Sequence, residues 1–222
     1  SVDFILGLPG VSVEEWKQMV HDAMKWPIQH ISVYFLMVQQ NTPLYFKVKT
    51  NKVQLPPDDE IVDLYEWLVE LLDSHGFYRY ELSNFAKSGF ESRHNQAYWD
   101  RKPYAAFGLG ACSFNGSARC QNEKNLGKYM DLVQEGKSVI CEREELDSQK
   151  IAEEKIMLGL RQRKGVCVKD IMGHFSEEKQ KLFLSNVERL QEQKLIEQKN
   201  GFVFLTPRGY ALENEVAVRL FV

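Results

Sequence analysis

A chain of 222 residues with 44% hydrophobic and 12% aromatic content is long and apolar enough to bury a core in one domain or two. Its 28 basic and 31 acidic residues nearly cancel to a formal charge of -3, which leaves no strong field for nucleic acid, a membrane surface or a polyanionic substrate. No apolar run approaches the roughly 20 residues that cross a bilayer, and Cys112, Cys120, Cys141 and Cys167 lack close metal-ligand spacing, so a soluble chain of the reducing cytoplasm is expected.

Val2 to Leu6 alternate as an apolar strand that runs into Gly7-Leu8-Pro9-Gly10, a turn whose glycines permit close backbone approach to a ligand. A strand opening at residue 2 with no initiator methionine reads as an internal cut. Ser12 and Glu15 then make a capping box, and Trp16, Met19, Val20, Ala23 and Met24 recur at helical spacing. Pro27 ends that helix, and the β-branched and aromatic run Ile31 to Met37 predicts a second strand, completing a βαβ unit with a parallel pair.

After Pro56-Pro57-Asp58, the stripe Ile61, Leu64, Tyr65, Leu68, Leu71 and Leu72 predicts a second long helix that Gly76 stops. Phe77 to Leu82 reads as a third strand. Ligand sites in such a β/α repeat lie beyond the carboxyl ends of the strands. From about residue 84 to 123 the periodicity dissolves into polar, glycine- and aromatic-rich chain, longer than a connection needs and expected to line a site.

Helical patterning resumes over 129–134, 148–160, a short piece near Asp170, and 176–193 with Phe183, Val187 and Leu190 facing inward. Asn200-Gly201 then turns a hairpin between Leu195-Ile196 and the run Phe202 to Leu205, and Thr206-Pro207 caps a last helix carrying Tyr210, Ala211, Ala217 and Leu220. Helices followed by a hairpin predict a winged-helix-like module. The domains expected are 1–120 and 121–222, with the boundary softly between 115 and 145. A DNA-binding role for the module is disfavoured because 176–193 alternates charges without a basic face.

Val2-Asp3-Phe4-Ile5-Leu6-Gly7-Leu8-Pro9-Gly10, His30-Ile31-Ser32-Val33-Tyr34 and Tyr80-Glu81-Leu82-Ser83-Asn84-Phe85 resemble, in this order, the radical S-adenosylmethionine (SAM) superfamily of haem chaperones and oxygen-independent coproporphyrinogen III oxidases. His94-Asn95-Gln96-Ala97-Tyr98-Trp99 fits the HNxxYW pattern of the HemW-type chaperones, and Gly108-Leu109-Gly110-Ala111, Arg119 and Asn122 follow as in that family. The resemblance implies an α/β fold, the last part of a partial (β/α) TIM-like barrel plus a helical, winged-helix-like carboxy-terminal domain. It also implies a parent protein with a [4Fe-4S] cluster on a CxxxCxxC loop and SAM on its unique iron. None of the four cysteines has that spacing, so the chain by itself is expected to be catalytically inert.

The resemblance further implies Asp3 as a SAM contact, with Met37 and Phe114 at weaker matching positions. An aspartate in an apolar strand needs a partner or a role if buried; a neighbouring amide or basic group would satisfy it equally. His94 is a candidate axial ligand to haem iron, with Tyr98 and Trp99 packing on the porphyrin, against a reading in which His94 bonds a carbonyl and Trp99 fills the core. Cys112 and Cys120 are alternative thiolate ligands. Glu81 and Arg119 are candidates to pair with each other or, for Arg119, to meet a propionate, while His21, His75 and His174 read as structural. The function implied is haem binding and transfer to an acceptor protein; the rivals are a coproporphyrinogen III oxidase and a docking domain without catalysis.

Overall fold

The computed structural model describes residues 1–210 and 212–222, and folds by contacts as two compact units, Ser1–Ser92 and Arg93–Val222. The first unit begins with β1 (Val2–Leu6), α1 (Val13–Met24) and β2 (His30–Phe35). The capping box forms: Ser12 N donates to Glu15 Oε2 at 2.9 Å, and Glu15 N donates to Ser12 Oγ at 3.2 Å. The buried face of α1 carries Trp16, Val20 and Ala23, and the Trp16 indole donates to the Ile5 carbonyl at 3.1 Å, fastening helix to strand. Gly7 turns the chain after β1 at φ 84, a left-handed conformation that glycine adopts without strain.

β1 and β2 pair in parallel, with Asp3 beside Ser32 and Ile5 beside Tyr34. α2 (Pro43–Lys49) and α3 (Asp58–Ser74) come next, the latter burying Leu64, Leu68 and Leu72. The predicted third strand is shorter than its sequence run. Only Tyr78–Arg79 form β3, because Glu81 and Asn84 tighten a turn that returns the chain as β4 (Asn84–Ala86). β4 takes the place beside β2, antiparallel, and β3 becomes the outer strand in the order β1-β2-β4-β3. Leu6, Ile31, Val33 and Phe85 meet Trp16, Val20, Leu64, Leu68 and Leu72 in one core. Each such side chain contributes about 1.5–3 kcal/mol on burial.

The second unit starts with α4 (Arg93–Trp99) and continues through β5 (Cys112–Phe114), β6 (Ala118–Asn122), α5 (Leu126–Gln134) and β7 (Ile140–Glu145). β5, β6 and β7 make an antiparallel sheet in that order, with every residue of the edge strand β7 exposed. This sheet lies where the sequence shows no period. The stretch after residue 92 therefore folds with the carboxy-terminal half of the chain, and the contact boundary falls at Ser92/Arg93 rather than near residue 120.

α6 (Ser148–Leu160), β8 (Val166–Cys167), α7 (Val168–Met172), α8 (Glu177–Glu192), β9 (Ile196–Lys199) and β10 (Phe202–Leu205) then build the winged-helix-like part, with sheet order β8-β10-β9. α9 (Pro207–Tyr210) and α10 (Glu213–Leu220) close it. Ile156, Leu160, Ile171, Phe183, Val187, Leu190 and Leu220 fill its core. Ala217 and Leu220 are buried as the helical pattern requires, and Ala211 lies outside the described residues. Among the described residues no helix is long and apolar enough to cross a membrane.

Candidate functional site

The HNxxYW stretch is the helix α4, so His94 and Tyr98, four residues apart, share a face. Their rings meet edge-on at 4.9 Å between centroids, and both residues are exposed. From there a ladder of rings leads inward. Tyr98 meets Tyr104 at 4.8 Å, and Tyr104 meets the buried Phe114 at 6.1 Å. Trp99, one step further along α4, leaves that face, and its indole Nε1 is buried without a hydrogen-bond partner.

α4 ends in a Schellman turn: Lys102 N donates to the Ala97 carbonyl at 2.9 Å, and Arg101 N to the Tyr98 carbonyl at 3.0 Å. The residue that turns left-handed there is Arg101, at φ 53, where glycine is usual. A side chain in that conformation costs about 1–2 kcal/mol. What is gained is the placement of a guanidinium. Arg101 Nε donates to Glu154 Oε2 at 2.8 Å, and its planar head lies 5.0 Å from the Phe114 ring centroid. Arg119 pairs with the other oxygen of Glu154 and stands 5.8 Å from the same ring. Two guanidinium groups and one carboxylate thus clasp Phe114. Arg101 Nη2 is buried and unpaired, and a buried unsatisfied donor costs about 1–3 kcal/mol.

In the amino-terminal unit, Asp3, Ser32 and Asn84 are register partners and form one polar row across β1, β2 and β4, on the face opposite the apolar core. Ser32 and Asn84 are buried, whereas Asp3 is exposed and sits near the start of β1, away from the carboxyl-terminal rim. No desolvation cost therefore argues for a role at Asp3. The buried carboxylate of this unit is Glu81, 1% exposed, which accepts from Ser83 N at 3.1 Å and from Asn84 Nδ2. Next to it His30 Nε2 and the Tyr80 hydroxyl lie 2.8 Å apart.

Burial pushes the Glu81 carboxyl above its ordinary value of 4.5, against the hydrogen bonds from Asn84 and Ser83 that pull it down. A carboxyl held high in the folded chain binds its proton more tightly than the unfolded chain does. Its cost to stability is absent below pH 4.5 and grows as pH rises through the folded value. Glu81→Gln keeps an oxygen for both donors and removes the charge, so the variant should lose less stability than the parent between pH 4.5 and neutrality. Denaturation midpoints across that range check it; parallel pH profiles would count against a buried charge.

Ring contacts thus connect His94 and Tyr98 through Tyr104 to Phe114, against which Arg119 stands, and Trp99 has no part in that ladder. The carboxylate partner of Arg119 is Glu154, and Glu81 accepts from Ser83 and Asn84 within its own turn. Met37, 74% exposed, lies just past the carboxyl end of β2. Cys112 is exposed and Cys120 buried. His21 packs on Trp67, His75 Nδ1 lies 2.8 Å from the Leu71 carbonyl, and His174 lies 3.2 Å from Ser148 Oγ. Sequence reasoning missed Arg101, Tyr104 and Glu154. Glu154 stands on the period of α6 like any surface residue, and the cue for Arg101 was its place just after the HNxxYW helix.

Residues 146–212 match the family described as the HemN C-terminal domain. The chain is 34% identical over 216 residues to the heme chaperone HemW of Bacillus subtilis, an alignment that covers 97% of this chain and 57% of that protein. The chain is HemW-like, of the radical SAM group. The HemW of Lactococcus lactis is 30% identical, with 97% of this chain and 56% of that protein covered. This HemW-like chain thus spans little more than half the length of these relatives. Among solved structures, coproporphyrinogen III oxidase (HemN) from Escherichia coli superposes with a TM-score of 0.76 at 17% identity, covering 99% of this chain and 54% of that one, and so shares its fold.

Proposed function

We propose that the HemW-like chain serves in a haem chaperone, and that α4 is where it meets the porphyrin. The observation that carries this is the exposed His94–Tyr98 pair, a ring nitrogen beside an open aromatic face, backed by a ladder of rings. Haem would supply an iron with an open axial position and a broad apolar plane. In this reading His94 offers it an imidazole, Tyr98 packs against the plane, and the 42% exposed Arg119, which also pairs with Glu154, offers a guanidinium to a propionate. Transfer would then pass the haem to an acceptor protein. The residues fit because a ligand held by one imidazole on an exposed helix is bound without being enclosed, as delivery requires.

SAM and a [4Fe-4S] cluster belong to the radical SAM group, and we assign Asp3, Met37 and Phe114 as the candidate SAM contacts of this chain. Phe114 is buried, with the Arg101 and Arg119 guanidinium groups and the Tyr104 ring against it. The cluster needs three thiolates on one loop, which the spacing of the four cysteines does not provide, and among the described residues no three His, Cys, Asp or Glu side chains group to hold a metal ion. None of these thiols is assigned to the cluster. Free cysteines accord with a reducing cytoplasm.

Haemin titrated into the protein should shift its Soret band, and His94→Ala should abolish that shift while leaving the far-ultraviolet circular dichroism unchanged. An unaltered Soret shift in the variant would remove His94 from the site.

A further inference from the structure

α4 is 7 residues long and buries none of them. A helix so short is marginal by itself, and its stability comes from what its faces touch. His94 and Tyr98, both exposed on it, therefore need a support from outside α4 to hold one geometry. A histidine that ligates a metal is ordinarily oriented by a hydrogen bond to its second ring nitrogen. Among the described residues the His94 ring has no such bond, and its contact is with another ring: it meets Tyr98 at 4.9 Å with 86° between the planes.

Tyr104 supplies the support. Its ring meets Tyr98 at 4.8 Å between centroids, with 62° between the planes. Its own place is fixed by main chain: Tyr104 N donates to the Phe114 carbonyl at 2.8 Å, and Phe114 N donates back to the Tyr104 carbonyl at 3.0 Å, which bridges the residue to β5. The Tyr104 ring also meets Phe114, 4% exposed, at 6.1 Å. Pro103 precedes it and removes freedom from both its own φ and the conformation of Lys102. Tyr104 is thus anchored to a sheet, while Tyr98 stands on a helix that buries nothing.

We propose, on the haem-chaperone reading of α4, that Tyr104 is a positioning residue: its ring holds Tyr98, and Tyr98 holds the His94 imidazole in the orientation it offers to iron. Axial ligation requires an imidazole nitrogen aimed along the normal of the porphyrin plane, so a ring that turns freely must give up that freedom on binding. Fixing the ring beforehand removes that cost. Edge-to-face aromatic contacts supply such a preference while leaving the face of α4 open.

The test has a haem-free arm and a haem arm. In the first, the carbon-bound ring protons of His94, assigned by their loss in His94→Gln, are followed in proton–carbon spectra at one fixed pH. Tyr104→Ala should move them toward the positions of a free histidine, because the Tyr98 ring no longer stands fixed beside them. Tyr104→Phe keeps the ring and should leave them in place. In the second arm haemin is titrated by its Soret band, and Tyr104→Ala should weaken binding about three- to tenfold while Tyr104→Phe binds as the parent does. Unchanged far-ultraviolet circular dichroism separates positioning from unfolding. Tyr104→Leu, which keeps apolar bulk against Phe114 without a ring, replaces Tyr104→Ala should that variant lose its helical signal. Resonances of His94 that stay in place without the Tyr104 ring, a Tyr104→Phe variant that behaves as Tyr104→Ala, or unchanged haemin affinity in Tyr104→Ala would each overturn the proposal and leave the chaperone reading standing. If the parent itself shows no Soret shift, the chaperone reading falls, and the haem-free spectra alone decide for or against Tyr104.

Discussion

Gly165→Ala should destabilise the carboxy-terminal unit by about 4 kcal/mol, combining about 1–2 kcal/mol for a left-handed L-residue with about 1–3 kcal/mol for overpacking. Gly165 stands at φ 72 in the turn into β8, and a Cβ there would lie 2.2 Å from the Val203 carbonyl oxygen and 2.9 Å from Phe204 Cβ. The obstacle is main chain of β10, the central strand of the sheet β8-β10-β9. It cannot step aside as a flexible side chain would. Gly136→Ala is the matched control, since Gly136 also has positive φ, 64, but no atom within 4 Å of an added Cβ. Thermal unfolding should show a fall of about 10 °C for Gly165→Ala and about a quarter to a half of that for the control. Equal falls in both variants would mean that the close approach to Val203 carries no weight.

Glu154→Ala should cost about 3 kcal/mol, because it strands one almost buried guanidinium. Glu154 is 12% exposed and bridges Arg101, 10% exposed, to Arg119, 42% exposed. The two halves are unequal. The Arg119 half is screened by solvent and contributes less than about 1 kcal/mol, whereas losing the Arg101 half leaves an uncompensated charge against Phe114. Adding Arg101→Met to Glu154→Ala should therefore recover much of the loss, and a double-mutant cycle on denaturant midpoints measures it. If the double variant is less stable than Glu154→Ala alone, the clasp is held by something other than this pairing.

Much of the first unit was legible because its signals are local. The Ser12–Glu15 box, the stripe from Ile61 to Leu72 and the β-branched run at Ile31 each specify an element within one window. The fate of Phe77 to Leu82 was not, since the run has strand character throughout and only the Glu81–Asn84 turn decides that β4 enters the sheet ahead of β3. The sheet β5-β6-β7 escaped for a related reason: Cys112 to Phe114 is three residues long and β7 is charged along most of its length, so neither alternates apolar with polar. At the candidate site, HNxxYW located α4, but the residues that organise its surroundings are far apart in sequence. Arg101 and Glu154 meet across 53 positions, and no spacing rule connects them.

The run Glu142, Arg143, Glu144 and Glu145 on β7 also bears on solubility. A flat border of unpaired amides and carbonyls invites a second chain to add a strand, and closely set charges of both signs make that addition unfavourable. Arg143 and Lys150 already answer Glu145 and Glu144, so an incoming strand would have to break these contacts and desolvate the groups before gaining any backbone bonds. Neutralising the run should therefore turn this border into a starting point for aggregation.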